Sequence, residues 1–257
     1  MTAACNAVGF VPMYIAGGFG QLTPKLGLGI DNIVSARLLL STGEAIDASS
    51  TENPDVFEAV CGGGQALGIV SELRIATHPL AETMGSADGS YWCGTVAFPA
   101  DRAADVADML ENLKVAPEMV MYMAITTPLP GMSLALTAPM LIFLLGYLGP
   151  DAQADAAFAD IHALGPVASM SERVSYAEMN NRFDLFQEPG GFKRLFGVGL
   201  EKISSQSLTE LTQQLAEFLT KGPDVSKTRV LFPMLGVEKL RGSSVGIYPH
   251  RSVNHWW

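Results

Sequence analysis

Residues 52–70 read ENPDVFEAVCGGGQALGIV, and this stretch decides the fold because it holds a helix, a glycine run and the start of a strand. Asn53 suits the N-cap of a helix and Pro54 suits its first position. Three successive glycines, Gly62 to Gly64, end the helix, and Ile69 to Thr77 is typical of a strand. The stretch therefore predicts a short capped helix that leads into a strand.

The sequence just before this helix predicts a β-hairpin. Asn32 to Leu40 is rich in β-branched and aliphatic residues, Ser41 to Glu44 is a turn signal, and Ala45 to Ala48 can form the returning strand. With the glycine-rich residues upstream, this indicates a first domain over residues 1–82.

From Thr83 onward the sequence changes to a second domain, residues 83–257. It contains amphipathic helical segments and apolar strand segments grouped along the chain, which favours an α+β fold with an antiparallel sheet covered by helices. The predicted helices are Asp101–Lys114, Asp151–Leu164 and Ser204–Leu219, and the predicted strands are Tyr91–Phe98, Met119–Ile125, Ser133–Leu148, Val230–Leu235 and Val245–Tyr248.

Ser133–Leu148 is almost wholly apolar, but it is shorter than the roughly 20 residues of a membrane-spanning helix and contains Pro139. We therefore interpret it as buried strand and expect no membrane partner. Met119, Met121 and Met123 alternate along the preceding strand, a stripe that is typical of a core, with the apolar wall of a ligand pocket as the alternative.

Composition excludes several classes of function. The chain has 257 residues and a formal net charge of −10, which argues against a nucleic-acid partner. Three cysteines without a C-x-x-C pair and four scattered histidines predict neither a disulfide framework nor a metal site. The N-terminus has no basic region followed by an apolar stretch, so we expect no signal peptide and a soluble intracellular protein.

Several motifs occur in a fixed order: Cys5–Gly9, Ala16–Gly20, Lys25–Leu28, Asp31–Asn32, Glu52–Phe57 and Gly62–Val70. In order and spacing, residues 5–80 resemble the second half of the FAD-binding domain of berberine-bridge-type FAD-linked oxidases, which have a PCMH-type fold. The resemblance is thinner in the substrate domain, where Gly165–Val167 and Tyr248–Arg251 carry it. The fold class it implies is α+β, with half of a PCMH-type FAD-binding domain followed by a substrate domain.

The resemblance implies FAD as cofactor, with its binding residues in the glycine-rich first domain. Glycine lets the backbone approach a large cofactor, and backbone N–H groups in such turns can bind phosphate oxygens. In family members with doubly attached flavin, a cysteine at the position of Cys5 bonds the isoalloxazine ring. The candidate cofactor-binding residues are Cys5, Gly9, Gly17, Gly18, Gly20, Gly62, Gly63, Gly64, Gly68, Ile69 and Val70.

Tyr248 and His250 are the candidate catalytic residues, since a tyrosine or histidine near a flavin can act as the base while hydride leaves the substrate. A packing role for Tyr248 and a surface position for His250 are the alternative. Tyr176, Glu178, Asn180 and Asn181 form a polar cluster that could line a pocket or begin a helix.

The predicted function is the oxidation of a small secondary metabolite by a FAD-linked oxidoreductase. A cofactor-free isomerase or cyclase on the same scaffold, and a non-catalytic remnant that binds a partner, are two alternatives.

The sequence also departs from the family pattern. Val11, Pro12 and Met13 stand where the family often has glycine, and Cys61 stands where a basic residue commonly precedes the glycine run. Nothing in residues 1–4 supplies the earlier half of the FAD domain, so we expect weak binding of free FAD. Strand edges that this half would cover favour a homodimer.

Overall fold

The structure is a computed structural model that describes residues 3–128, 138–186, 190, 193–200, 202–249 and 251. The chain divides into two compact units. The first comprises Met1–Thr83, Asn180–Gly190 and Gly236–Ser252, and the second comprises Met84–Met179, Gly191–Leu235 and Val253–Trp257. The break at Thr83 lies next to the predicted one, but two later segments join the first unit.

The regular elements alternate between short helices and strands along the chain. In chain order they are α1 (Phe10–Ile15), α2 (Thr23–Leu26), β1 (Ile33–Leu39), β2 (Ala45–Ser49), α3 (Pro54–Gly63), β3 (Ile69–Ile75), α4 (Leu80–Met84), β4 (Tyr91–Pro99), α5 (Ala103–Asn112), β5 (Met119–Thr126), β6 (Met140–Tyr147), α6 (Asp151–Ala157), α7 (Ala159–Ala163), β7 (Ala168–Val174), α8 (Ser205–Leu219), β8 (Val230–Leu235) and α9 (Glu238–Arg241).

The first unit contains a three-stranded antiparallel sheet in the order β2-β1-β3. β1 and β2 form the predicted hairpin, with Ala36 opposite Ala48. Its turn is closed by a hydrogen bond from Leu40 N to Glu44 O of 2.8 Å. β3 pairs with the other side of β1, so the strand predicted after the glycine run completes the sheet.

Helix α3 begins at Pro54 as predicted, but Asn53 does not cap it with its side chain. Asn53 lies at the N-cap position with φ at 45°, and its amide Nδ2 donates to Asp47 O at 2.7 Å. The prediction of a side-chain cap is therefore wrong, because the amide joins the helix start to β2. The helix loses regular geometry at Cys61 and Gly62, where the glycine run begins.

The second unit is built on a five-stranded antiparallel sheet in the order β7-β4-β6-β5-β8. The central strands β5 and β6 are buried along their whole length, which explains their continuous apolar sequence. Met119, Met121 and Met123 lie in the core together with apolar residues of α5 and α8, as predicted. The fold class inferred from the sequence is confirmed.

The apolar segment Ser133–Leu148 contains a strand rather than a membrane helix. Its second half is β6, while residues 133–137 lie outside the described residues. Within the described part of the chain, no helix is both long and apolar enough to cross a membrane.

Three local predictions need correction. The helix predicted over Asp151–Leu164 is interrupted at Phe158, where φ and ψ are −104° and 12°, so it forms α6 and α7. Val245–Tyr248 is not a strand, because Gly246 has φ at 72° and turns the chain. β7 was not anticipated, since most of its residues are at least partly exposed and its sequence lacks an apolar run.

The core of the second unit gives a stability prediction at Phe143. This side chain is fully buried on the central strand β6 and packs edge-to-face on Phe98. We expect Phe143→Ala to lower the free energy of unfolding by about 3–5 kcal/mol, because it leaves a cavity that the sheet cannot close. Urea unfolding measures the loss, and Phe218→Ala on α8, where the ring is 37% exposed, is the control. Equal losses in the two variants would contradict the assignment of Phe143 to the core.

Candidate functional site

Two glycine turns of the first unit lie beside each other and carry most of the predicted cofactor-binding residues. The first follows α1, where Gly17 has φ at 117° and its carbonyl accepts from Ile30 N at 3.0 Å. The second follows α3, where Gly62 has φ at 125°. Residues with a Cβ atom rarely adopt either conformation, so the backbone alone requires glycine at both positions.

A segment late in the chain covers both turns. This covering segment consists of residues Ser243–Pro249 together with Arg251. The ring of Tyr248 lies on Gly17, so closely that a Cβ atom there would be 2.7 Å from two ring carbons. A Cβ atom on Gly62 would lie 3.1 Å from the backbone nitrogen of Tyr248, and one on Gly63 would lie 2.9 Å from Ile247 Cδ1.

A backbone hydrogen bond fixes the covering segment to the second turn. Ile247 N donates to Cys61 O at 3.0 Å. Gly246 packs on the same carbonyl, and a Cβ atom at Gly246 would lie 1.9 Å from Cys61 O. The approach of Gly246 therefore depends on the absence of its side chain.

An ion pair fixes the other end of the covering segment. The guanidinium of Arg251 donates to both carboxylate oxygens of Asp31, at 3.0 and 2.8 Å, and to Val245 O at 2.6 Å. Only 12% of the Arg251 side chain and 10% of the Asp31 side chain are exposed. The carboxylate also accepts from Leu28 N at 2.8 Å and from the Ser243 hydroxyl at 2.6 Å, so its oxygens are well satisfied.

Burial at the covering segment raises the pKa values of two side chains, Tyr248 and Cys61. Burial raises the pKa of Tyr248 from 10.0 to about 12, although the positive charge of Arg251 opposes the shift. Burial raises the pKa of the Cys61 thiol from 9.0 to about 11, and the negative charge of Asp31 adds to the effect while Arg251 opposes it. Near neutral pH the phenol of Tyr248 therefore stays protonated, and its raised pKa makes it a weaker acid than an exposed tyrosine.

The remaining predicted cofactor residues differ in exposure. A Cβ atom on Gly18, Gly64 or Gly68 would collide with Met13, Ile15 or Leu39 O, respectively, so these glycines are needed for packing within the chain. Gly20 is buried and its N–H donates to Thr23 Oγ1 at 2.8 Å. The exposed positions are Gly9, Gly68 and Ile69, while Val70 is half-buried; His250 lies outside the described residues.

Cys5 is a half-buried thiol in the N-terminal segment of the first unit. The N–H of Ala7 donates to its sulfur at 3.3 Å. The segment is held by Asn180, whose Nδ2 donates to Ala3 O at 2.6 Å and whose Oδ1 accepts from the buried Gln21 at 2.7 Å.

The polar cluster noted in the sequence makes local and N-terminal hydrogen bonds. Asn180 and Asn181 help to hold the N-terminal segment, since Asn181 accepts from Asn6 at 3.1 Å. Glu178 accepts from the Ser175 hydroxyl at 2.7 Å in a local turn. No group of His, Cys, Asp and Glu side chains in the described part of the chain could hold a metal ion.

Sequence reasoning missed the pairing of Asp31 with Arg251. Both residues belong to motifs that carry the resemblance, but they are 220 positions apart and neither motif indicates the other. Asp31 is a charged residue among glycine and apolar residues, and this position could have suggested that it has a buried partner.

The fold and the motifs define a class of protein: the chain resembles the berberine-bridge-type FAD-linked oxidases, as the sequence predicted. It is 28% identical over 236 residues to a FAD-linked oxidoreductase of Pyricularia oryzae, covering 90% of this chain and 45% of the relative. It is 37% identical over 106 residues to the (R)-6-hydroxynicotine oxidase of Paenarthrobacter nicotinovorans, covering 41% of this chain and 23% of that enzyme. No family model matches the chain.

Solved structures give the same fold. A berberine-bridge-enzyme-like protein from Arabidopsis thaliana aligns with a TM-score of 0.75 and 18% identity, over 99% of this chain and 52% of its own length. A carbohydrate oxidase from Microdochium nivale aligns with a TM-score of 0.71 and 18% identity, over 100% of this chain and 55% of its own. The chain thus spans about half the length of the proteins that it matches.

The glycine turns, in the conformation described above, do not fit FAD. Ile247 and Tyr248 fill the space next to Gly17, Gly62 and Gly63. Gly18, Gly64 and Gly68 pack against Met13, Ile15 and Leu39, respectively. A dinucleotide pyrophosphate needs converging N–H groups that are open to it. In this conformation the covering segment stands where such a ligand would approach.

The contact of Gly17 with Tyr248 predicts a marked effect of Gly17→Ala. The methyl group would meet the ring as well as impose an unfavourable φ, so we expect unfolding to be easier by about 2–4 kcal/mol. Gly43→Ala is the matched control, because Gly43 has φ at 84° and nothing within 4 Å; it should cost only about 1 kcal/mol. Urea unfolding of both variants measures the difference. If Gly17→Ala is no worse than Gly43→Ala, Tyr248 does not lie on Gly17.

The raised pKa of Tyr248 predicts a dependence of stability on pH. The folded protein holds the phenol proton between pH 10 and about 12, a range in which the unfolded protein loses it. The free energy of unfolding should therefore fall as the pH rises through this range, and Tyr248→Phe should reduce the fall. Urea midpoints of both proteins at about pH 9 and about pH 11 test this. An identical decrease in the two proteins would be inconsistent with a buried phenol at Tyr248.

Proposed function

We propose that this chain forms part of a FAD-linked oxidoreductase that acts on a small organic molecule, a secondary metabolite by analogy with the predicted class. The observation that carries the proposal is its relation to a FAD-linked oxidoreductase over 90% of the chain. Two partly exposed positions support it, since Cys5 offers a thiol and Gly9 an open backbone in the same N-terminal segment. Cys5 is proposed as the covalent attachment position, because Cys61 and Cys93 are buried.

In this proposal the hydroxyl of Tyr248 stays protonated and positions the substrate by donating a hydrogen bond to it. The raised pKa of the phenol supports this role, because it keeps the proton on the hydroxyl. The ring also lies on a predicted cofactor turn, at Gly17, so the two sets of candidate residues are neighbours in the fold although 231 positions separate them in the sequence.

A cofactor-free isomerase or cyclase is the second candidate, and the covered glycine turns favour it specifically. A protonated tyrosine in a partly buried position can favour such a reaction by donating a hydrogen bond to the substrate and by holding it in a reactive shape. The two candidates differ in one simple property, since only the first requires flavin. Turnover by protein that has been shown to be free of flavin would favour the second.

The test of the first candidate is whether flavin binds and where. Purified protein is titrated with FAD while the quenching of flavin fluorescence is followed, and the product is denatured in acid. We expect saturable but weak binding, because the covering segment must move, and any flavin that stays with the denatured protein should be lost in Cys5→Ala. Cys93→Ala is the control, since Cys93 is buried in the second unit. Flavin retained by Cys5→Ala would exclude Cys5 as the attachment position, and complete absence of binding would contradict the proposed cofactor.

A further inference from the structure

The covering segment is attached mainly by polar contacts. Val245 and Ile247 are 38% and 56% exposed and bury little apolar surface, whereas the ring of Tyr248 packs on Gly17. The polar contacts include the Asp31–Arg251 ion pair, the hydrogen bond from the Ser243 hydroxyl to Asp31 and the hydrogen bond from Ile247 N to Cys61 O. Attachment by a few polar contacts allows local opening without loss of the core.

The covering segment lies on a particular subset of the glycines in the first unit. It lies on Gly17, Gly62 and Gly63, three of the glycines that the sequence identifies as cofactor-facing, and it leaves Gly43 open. The covered positions are therefore three of those for which the resemblance implies a ligand.

We propose that the covering segment is a closure of the glycine turns, held shut by the ion pair between Asp31 and Arg251 and opened when that pair is broken. In the closed state the ring of Tyr248 and the side chain of Ile247 exclude ligand from Gly17, Gly62 and Gly63. In the open state these turns present their backbone to a dinucleotide. The choice of ligand rests on the proposed function, whereas the closure itself does not.

Cys61 is a built-in reporter of opening. Its thiol is fully buried, its carbonyl accepts from Ile247, and Gly246 packs on it. Cys93 is buried in the second unit and therefore reports unfolding of that unit. The rates at which a thiol reagent modifies the two residues, resolved by peptide mass mapping, separate exposure of Cys61 in the first unit from unfolding of the second unit.

The test variant is Arg251→Gln, which removes the cation and leaves Asp31 its bonds from Leu28 and Ser243. Arg251 lowers the pKa of the Cys61 thiol, so its loss by itself makes the thiolate scarcer and modification slower. Faster modification of Cys61 then cannot come from a more reactive thiol and reports a more exposed one. We expect an increase of about tenfold or more, because loss of one partner from a buried pair leaves an uncompensated charge, with Cys93 unchanged.

The matched control is Arg37→Gln, which removes an exposed ion pair with Asp47 in the same unit and should change neither rate. Slower or unchanged modification of Cys61 in Arg251→Gln, or equal acceleration of Cys61 and Cys93, would overturn the closure. FAD titration of the same variant then tests the ligand. Tighter FAD binding than in the wild type supports the closure and the proposed function together. Local opening without any FAD binding leaves the closure in place and counts against the proposed function.

Discussion

The arrangement of the first unit depends on the ion pair between Asp31 and Arg251. Removing two charges from water is costly, and a buried pair is tolerated only when further hydrogen bonds satisfy its atoms. In this protein Leu28 N and the Ser243 hydroxyl complete the carboxylate, and Val245 O accepts a further bond from the guanidinium. Because these partners come from both ends of the unit, the pair determines where the covering segment lies and hence what faces each glycine turn.

The same glycines meet two different structural requirements. A turn that lets a cofactor approach and a turn that lets a tyrosine ring approach have the same sequence, since both need a position without a side chain. The similarity to FAD-linked oxidoreductases favours turns that let a cofactor approach. In the structure, however, it is the ring of Tyr248 that approaches Gly17. A closure that opens reconciles the two, because one set of turns then serves both states.

Much of the fold could be predicted because its determinants are local in sequence. The hairpin follows from alternation and a turn signal, and the buried strands β5 and β6 follow from continuous apolar runs. At three positions, contacts or backbone angles outweighed local propensity. The amide of Asn53 binds β2 instead of capping the helix, and the helix predicted through Phe158 is interrupted there. Gly246 turns the chain where a strand was predicted. The pairing of Asp31 with Arg251 could not be predicted, since no pattern in either motif encodes a partner 220 positions away.

That separation also has a consequence for how the protein is made. The strands of the second unit, β4 to β8, all lie between residues 84 and 235, so they leave the ribosome before Arg251 does. At a synthesis rate of about 5–20 residues per second, Arg251 is added roughly 10–40 s after Asp31. Throughout that interval the glycine turns of the nascent chain are uncovered. Pairing Asp31 with Arg251 then closes a long loop, and the entropic cost of closure grows only slowly with loop length. The newborn chain therefore passes through an interval in which a ligand could reach these turns before the covering segment has been synthesised.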